Sequence, residues 1–314
     1  MLTRRHIRIK VMQSVYSFAL GKNYKLEDEV LFFKQSVAQS FDLYLLILGL
    51  IKALGTYAQE QIDTYQKHDL LLDDNYEKLQ KLSQNSVLVF FQNHTVLEQH
   101  LKNKKFIRWD LEFKYLKEIT NEIIKTDFFN DYINIDSPDE ADDMNCVVKI
   151  FKNKIASSDY LQEHIQDHRL TWTDDFPLVN TYFLKELKQL NINESQSLRF
   201  PKPIENDEDL EFGINLLEKV ISNDEQLQSE LKGKTPNWDE KRIAQLDNIL
   251  LKIAIAELLF FPTIPVKVSL NEYLEIAKDY STPKSNHFIN GVLDKLVREF
   301  ETEKRLNKKG RGLL

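Results

Sequence analysis

Apolar residues recur every three or four positions along most of the chain, a spacing that places them on one face of an α-helix. The first such face comprises Ile7, Val11, Val15 and Phe18. The same pattern continues over residues 26–65, 75–104 and 109–125. We predict helices in all of these segments, with 26–65 as one or two long helices and 75–104 either continuous or interrupted near Ser86. Val87–Phe91 alone would also fit a strand.

Helix-start signals are concentrated in the second half of the chain. Capping side chains, followed by an acid three positions later or by an adjacent proline, occur at Ser137–Glu140, Asn237–Glu240, Ser269–Glu272 and Thr282–Pro283. Phe261–Pro265 contains two prolines and is predicted to connect two helices. The polar segment Asn193–Asp209, which holds two further prolines, is the best candidate for a linker.

Composition narrows the class of protein. Hydrophobic residues make up 42% of 314 residues, which is enough for a substantial core. The single cysteine, Cys146, excludes an intramolecular disulfide and suits a reducing, cytoplasmic environment. The longest apolar run, Leu43–Ile51, is far shorter than the roughly 20 residues of a membrane helix, so we expect no membrane association.

Charge is distributed unevenly along the chain. The net charge is −7, yet residues 1–25 and 304–314 contain basic residues and no acid. All 49 acidic residues therefore lie between the two ends. Two basic ends on an acidic body could bind a polyanion locally while the body stays soluble.

Motifs that carry enzyme chemistry are missing from the sequence. The eight glycines form no phosphate-binding loop, no nucleophile elbow occurs, and the acids show no paired arrangement. His164 and His168 lie one helical turn apart, but no third ligand accompanies them, so a solvated helix face is the favoured interpretation. We expect no catalytic residue, no metal and no cofactor, and hence a protein that is not an enzyme.

An internal similarity links two parts of the chain. When residues 143–187 are shifted by 66 positions, Asp143 falls on Asp209, Leu161 on Leu227 and Trp172 on Trp238. Either this half of the core has been duplicated, or two amphipathic helix pairs share a period by chance. Duplication predicts that Trp172 begins a second helix and packs against the first helix, near Ile155.

The N-terminal helix has an unusual charge pattern. Arg4 and Arg5 fall in its first turn and Arg8 follows, where the helix dipole disfavours cations by about 0.3–1 kcal/mol each. An anionic ligand would offset that cost, because arginine forks bind phosphate and Tyr16 could stack on a base. The alternative is an ordinary solvated basic face.

Several motifs together resemble the NusB family of transcription antitermination factors. At the N-terminus these are Arg4–Arg8 and Met12–Tyr16, an arginine-rich stretch followed by Gln-x-x-Tyr. In the C-terminal part they are Trp238, Arg242–Ile243, Asp247–Leu258, Ile264–Val268, Asn271–Glu272, Ala277–Lys278 and Phe288–Asp294. The resemblance covers about residues 1–22 and 205–300.

The resemblance implies an all-α fold, a helical bundle of two packed subdomains that is here enlarged by inserted helices. The implied divisions are a basic N-terminal helix (1–22), an inserted helical region (23–204, with 143–187 as a possible half-repeat), the C-terminal core (205–303) and a basic tail (304–314). Asn290-Gly291 within a helical pattern suggests a close approach of two helices at Gly291.

The resemblance also implies a function. Family members bind boxA-type RNA of rRNA leader transcripts together with NusE, a small-subunit ribosomal protein, within the RNA polymerase antitermination complex. The RNA-binding residues implied here are Arg4, Arg5, Arg8, Tyr16, Lys252, Lys284 and Phe288. Lys252 stands where arginine is usual and loses the bidentate phosphate geometry, and Lys284 stands where an acid often occurs.

Two other functions fit parts of this pattern. Some rRNA cytosine methyltransferases carry a NusB-like N-terminal domain, but the chain has only Cys146, upstream of the core, and lacks a glycine-rich cofactor motif. The second alternative is a helical protein-interaction scaffold of NusB fold whose RNA role has been lost.

Overall fold

A computed structural model describes residues 1–21, 24–69, 74–234 and 244–310. Within these ranges it contains fifteen α-helices and no strand, which confirms the all-α prediction. The helices are α1 Arg4–Leu20, α2 Leu26–Lys67, α3 Asp74–Ser83, α4 Ser86–Asn93, α5 Thr95–Lys102, α6 Phe113–Ile123, α7 Asp127–Ile133, α8 Glu140–Ile150, α9 Asp159–His168, α10 Thr171–Gln189, α11 Asp207–Ser222, α12 Asp224–Leu231, α13 Gln245–Phe260, α14 Val266–Tyr280 and α15 Pro283–Thr302. A π-helical turn, Phe151–Ile155, extends α8, and Ser195–Ser197 is a short 3-10 turn.

The chain divides into two compact units. The inserted unit comprises Met1 and Ala38–Lys202, and the terminal unit comprises Leu2–Val37 and Pro203–Leu314. Residues of α2 belong to both units, with the division at Val37. The domain boundaries predicted from sequence, after residues 22 and 204, stay predictions.

The inserted unit is built around the apolar part of α2. Leu43–Leu48 is completely buried and joins one core with side chains of the later helices, among them Phe151, Trp172 and Phe183. Gly49 allows a close approach there, since a Cβ atom would lie 3.1 Å from Ile107 and 3.2 Å from Trp109. Aromatic and branched side chains thus supply most of the burial that stabilises this unit.

The segment that fitted a strand, Val87–Phe91, lies inside α4. Asn85 caps this helix by accepting hydrogen bonds from the backbone N–H groups of Val87 and Leu88 at 3.1 and 3.2 Å. The cap supplies the acceptor that the first turn of a helix lacks, so an eight-residue apolar helix forms where periodicity alone is ambiguous.

The predicted helix starts had mixed outcomes. Thr282 caps α15 with Pro283 in the first turn, as predicted, because its side chain accepts from the Ser285 backbone N–H. The start predicted at Ser137 is wrong, since Asp139 is the cap residue of α8. The start predicted at Ser269 is also wrong, because α14 already begins at Val266. Asn237 lies outside the described residues.

In the terminal unit, α1 packs against α11, α13 and α14. Ile7 and Phe33 are fully buried, and the helix α11 approaches them at Gly213. A Cβ atom at Gly213 would lie 2.3 Å from Phe33 and 2.7 Å from Ile7. At Gly291, by contrast, a Cβ atom would have no neighbour within 4 Å among the described residues, so the predicted close helix approach there is wrong.

The helices of residues 143–187 can be compared with those that lie 66 residues later in the chain. The segment α8 with its π-helical turn corresponds to α11, and α9 corresponds to α12. Trp172 lies at the start of α10, which is the third helix of this segment and not the second as predicted, and it is fully buried. Its indole N–H donates to the Gln39 carbonyl, and its ring lies 5.6 Å from that of Phe106. Its counterpart Trp238 lies outside the described residues, so the duplication remains a prediction.

One helix in the described part of the chain is long and apolar enough to cross a membrane by length and composition alone. This is α2, and 67% of its most apolar window is buried inside the fold. The uninterrupted apolar run Leu43–Ile51 is only part of this helix, and the full helix meets the criterion that the run alone does not. Burial of that extent is what the core helix of a helical bundle shows.

We predict opposite effects for alanine at two glycines. Gly213→Ala should lower the free energy of unfolding by about 1–3 kcal/mol, because the new methyl group overlaps Phe33 and Ile7. Gly291→Ala should raise it by up to about 1 kcal/mol, because alanine favours helix and the site is open. Urea denaturation followed by circular dichroism measures both; equal stabilities would contradict the packing described at Gly213.

Candidate nucleic-acid interface

Helix α1 begins immediately after Thr3, whose backbone N–H donates to His6 Nδ1 at 3.2 Å. Its first turn contains no acid and two arginines, Arg4 and Arg5. Seven residues of the helix are buried: Ile7, Arg8, Lys10, Val11, Met12, Ser14 and Val15. The buried face is therefore wider than the apolar stripe seen in the sequence, and it includes two cationic residues.

A buried ion pair fixes α1 to the core of the terminal unit. Arg8 Nε and Nη2 donate to the two carboxylate oxygens of Glu257, both at 2.8 Å. Ser269 Oγ donates to the same carboxylate at 2.7 Å and Tyr273 Oη at 2.8 Å. Glu257 is 0% exposed and Arg8 only 2%. One carboxylate thus joins α1, α13 and α14 through four hydrogen bonds.

The charges in this network stabilise each other. Burial alone would lower the pKa of Arg8, but the hydrogen bonds and negative charge of Glu257 outweigh it and raise the pKa above its ordinary value. Burial, together with the Glu257 charge, raises the pKa of the Tyr273 phenol well above its usual range. The Arg8 guanidinium also lies 5.1 Å from the Phe212 ring centre, a cation–π arrangement.

The other two arginines are paired at the surface. Arg4 Nε contacts Asp209 at 2.7 Å, and Arg5 binds Glu272 through two bonds of 2.9 and 3.0 Å. The side chains of Arg4 and Arg5 remain 47% and 39% exposed. The bond from Arg5 lowers the pKa of Glu272 below its usual value. Carboxylates of α11 and α14 therefore offset the charge in the first turn of α1, where the sequence suggested an external anion.

Three of the predicted RNA-binding residues are buried. Arg8 is enclosed by Glu257, and Lys252, 8% exposed, pairs with Asp224 at 2.6 Å. Phe288 is likewise 8% exposed and belongs to the core. In the folded chain these three side chains are thus engaged in packing or ion pairs, and their predicted contact with RNA stays a prediction.

Four of the predicted residues remain accessible. Arg4, Arg5 and Tyr16 lie on α1, and Tyr16 is 39% exposed. Lys284 is exposed in the first turn of α15. The accessible part of α1 therefore presents two guanidinium groups and one aromatic ring, the chemistry that single-stranded RNA binds.

Sequence reasoning missed the residues that position α1. Glu257 appeared only as one position of an apolar helix, although an acid inside the run Ile253–Leu258 is itself a signal of a buried partner. The basic tail is also engaged: Arg305 pairs with Glu230, and Lys308 Nζ donates to the Phe261 carbonyl at 3.0 Å. These cations stabilise the terminal unit and cap the end of α13.

Two sites that stood out in the sequence lie in the inserted unit. His164 is half-buried and stacks on Trp109 with ring centres 5.0 Å apart, so the prediction of a simply solvated face is wrong for this residue. His168 is exposed, 4.5 Å from it. Cys146 is buried, and burial raises the pKa of its thiol to about 12. A thiol in that environment is unreactive.

The fold and the α1 surface define a class of all-helical protein in which a basic N-terminal helix is locked onto a C-terminal helical core. The sequence model of the NusB family matches residues 177–298. Proteins of the same name are similar: "Transcription antitermination protein NusB" of Chloroherpeton thalassium and of Salinibacter ruber are each 41% identical over 104 residues, 33% of this chain. The namesake from Clostridium botulinum is 33% identical over 114 residues, 36% of this chain and 81% of the relative.

The chain belongs to the NusB family. It spans 49% and 65% of the relatives from Chloroherpeton thalassium and Salinibacter ruber, less than two thirds of their lengths. The family match begins at residue 177, so the motif in α1 lies outside it. No solved structure matches the chain.

We predict that Glu257→Gln destabilises the protein by about 3–5 kcal/mol, because it removes the carboxylate that binds buried Arg8 through two hydrogen bonds and leaves only Glu272, 3.8 Å away, as a counter-charge. Glu275→Gln is the matched control: Glu275 lies on α14, pairs with Lys278 at the surface and should change stability by less than about 0.5 kcal/mol. Urea denaturation measures both. A decrease below about 1 kcal/mol for Glu257→Gln would contradict a central role for this pair.

Proposed function

We propose that the protein is an RNA-binding transcription antitermination factor and not an enzyme. One observation carries the proposal: Arg4, Arg5 and Tyr16 are exposed on a helix whose position is fixed by the buried Arg8–Glu257 pair. A rigid helix presents its guanidinium groups at low entropic cost, so phosphate binding gains from that preorganisation.

Phosphate can compete for the two exposed arginines. Exposed single-bonded ion pairs contribute only about 0–1 kcal/mol, so exchanging Asp209 for an RNA phosphate costs little. The part-buried Arg5–Glu272 pair has two hydrogen bonds, and a phosphate must replace both of them. An arginine fork binds phosphate through two parallel hydrogen bonds, and the Tyr16 ring can stack on an unpaired base. Arg8 contributes indirectly, by holding α1 in place.

The names of the relatives support the biological setting. All three are called transcription antitermination proteins. We therefore propose that the protein binds boxA-type RNA of rRNA leader transcripts together with NusE. We place this activity in the cytoplasm, within the RNA polymerase antitermination complex. Lys284, exposed beside the α15 cap, is proposed as a further phosphate contact.

A scaffold without RNA binding is the second candidate. It is favoured by one observation, that Arg4, Arg5 and Arg8 all have carboxylate partners within the chain. In that case the arginines serve folding alone, and α1 needs no external anion. A direct RNA-binding measurement distinguishes the two candidates, because only the antitermination factor is expected to bind RNA.

We predict that Arg4→Ala with Arg5→Ala weakens binding of a boxA-type RNA. The plot of log affinity against log salt should become shallower by about 0.7 for each phosphate that the variant no longer neutralises. Circular dichroism should show unchanged helix content, because the buried Arg8–Glu257 pair is retained. Fluorescence anisotropy at several salt concentrations measures the effect.

The matched control removes two other exposed, ion-paired arginines, Arg108 and Arg199, which belong to the inserted unit. Arg108→Ala with Arg199→Ala should leave affinity and salt slope unchanged. Equal behaviour of the two double variants would show that α1 is not the RNA site. Absence of binding by the parent protein, with and without NusE, would favour the scaffold.

We also predict that NusE strengthens RNA binding. The acidic body of this chain repels RNA, and a basic partner that binds beside the site would offset this repulsion. Coupling between two ligands is commonly about 5- to 150-fold, and we expect a gain of that size. Titrating labelled RNA with and without a saturating amount of the cognate NusE checks it; equal affinities would refute the partnership.

A further inference from the structure

A cavity of about 340 Å³ opens on the inserted unit, within residues 49–116. Its floor is apolar and includes Ala53, Leu101, Ile107 and Trp109. The Trp109 indole N–H is already bonded to the Leu46 carbonyl at 2.9 Å, so the ring offers its apolar surface. A space of this size accommodates one or two bulky apolar side chains.

The apolar surface continues beyond the cavity. Phe113 lines it, is 53% exposed and meets Tyr57 edge to face, with ring centres 5.4 Å apart. Leu111, two residues earlier in the chain, is 66% exposed. We call the cavity together with Phe113 the groove; exposed apolar surface of this kind marks an interaction site.

The charged residues at the rim of the groove indicate what charge a partner should carry. The Lys52 ammonium donates to the Gln92 carbonyl and to Glu98, and Lys102 approaches Glu98 at 3.7 Å. Asp110 pairs with Arg108 at 2.8 Å. Among the residues that the structure describes, Glu60 is the lining carboxylate without a lysine or arginine at ion-pair distance.

We propose that this groove binds a peptide segment of another protein, one that places a bulky apolar side chain in the cavity and a neighbouring lysine or arginine beside Glu60. RNA fits less well, since the uncompensated charge at the rim is negative and Lys52 is held by two acceptors of the chain itself. The groove gives the inserted unit a function of its own, beyond the RNA binding proposed for α1.

The test uses the full chain and a phage-displayed library of random dodecapeptides. Selected peptides should carry an aromatic or aliphatic residue next to lysine or arginine. Thr56→Trp fills the groove from an exposed lining position, and Glu60→Lys reverses the rim charge. Each change should weaken the selected peptides at least about tenfold, as expected when a central anchor can no longer bind.

The controls are Thr64→Trp, at an exposed position of α2, and Asp131→Lys, at an exposed position of α7; neither residue lines the groove. Both should leave peptide affinity unchanged. Three results would overturn the proposal: no enriched peptide, enriched peptides that are acidic, or peptides that bind Thr56→Trp as tightly as the parent. A single-stranded RNA probe whose affinity falls with Thr56→Trp and not with Thr64→Trp would also overturn it, by assigning the groove to nucleic acid.

Discussion

The buried ion pair between Arg8 and Glu257 is the interaction on which the terminal unit depends. Two charges are expensive to bury, and the cost is recovered here only because the Glu257 carboxylate accepts from donors on three sides, Arg8, Ser269 and Tyr273. Such a pair tolerates little displacement. It therefore sets the position of α1 relative to α13 and α14 more narrowly than apolar packing alone would.

The same interaction separates two roles within one helix. Arg8 faces inward and holds the helix, whereas Arg4 and Arg5 face solvent and pair with carboxylates that an anion can replace. The orientation that buries Arg8 is thus the one that leaves Arg4 and Arg5 accessible to RNA. The groove of the inserted unit is formed by other residues and has different chemistry, an apolar floor with the Glu60 carboxylate at its rim. The proposal that it binds a peptide is therefore independent of the proposed RNA binding.

Local signals in the sequence predicted the helices well. The periodicity of residues 26–65 and the Thr282–Pro283 start needed only neighbours along the chain. The sequence was less informative where burial depends on residues that are distant along the chain. Arg8 and Glu257 lie 249 residues apart in sequence, so nothing local showed that Arg8 is buried in an ion pair. The burial of Lys252 and Phe288 was likewise not evident from their neighbours in sequence, and Gly291 looked like a packing site although its surroundings are open.

The proposal that RNA binds at α1 is tested most directly by locating the residues that contact RNA. A boxA-type leader RNA carrying 4-thiouridine can be crosslinked to the full chain with NusE present, and the attached residues located by mass spectrometry. We predict crosslinks in the exposed part of α1, at and around Tyr16, and none at the buried Phe288. Crosslinks confined to the inserted unit, Ala38–Lys202, would contradict this assignment.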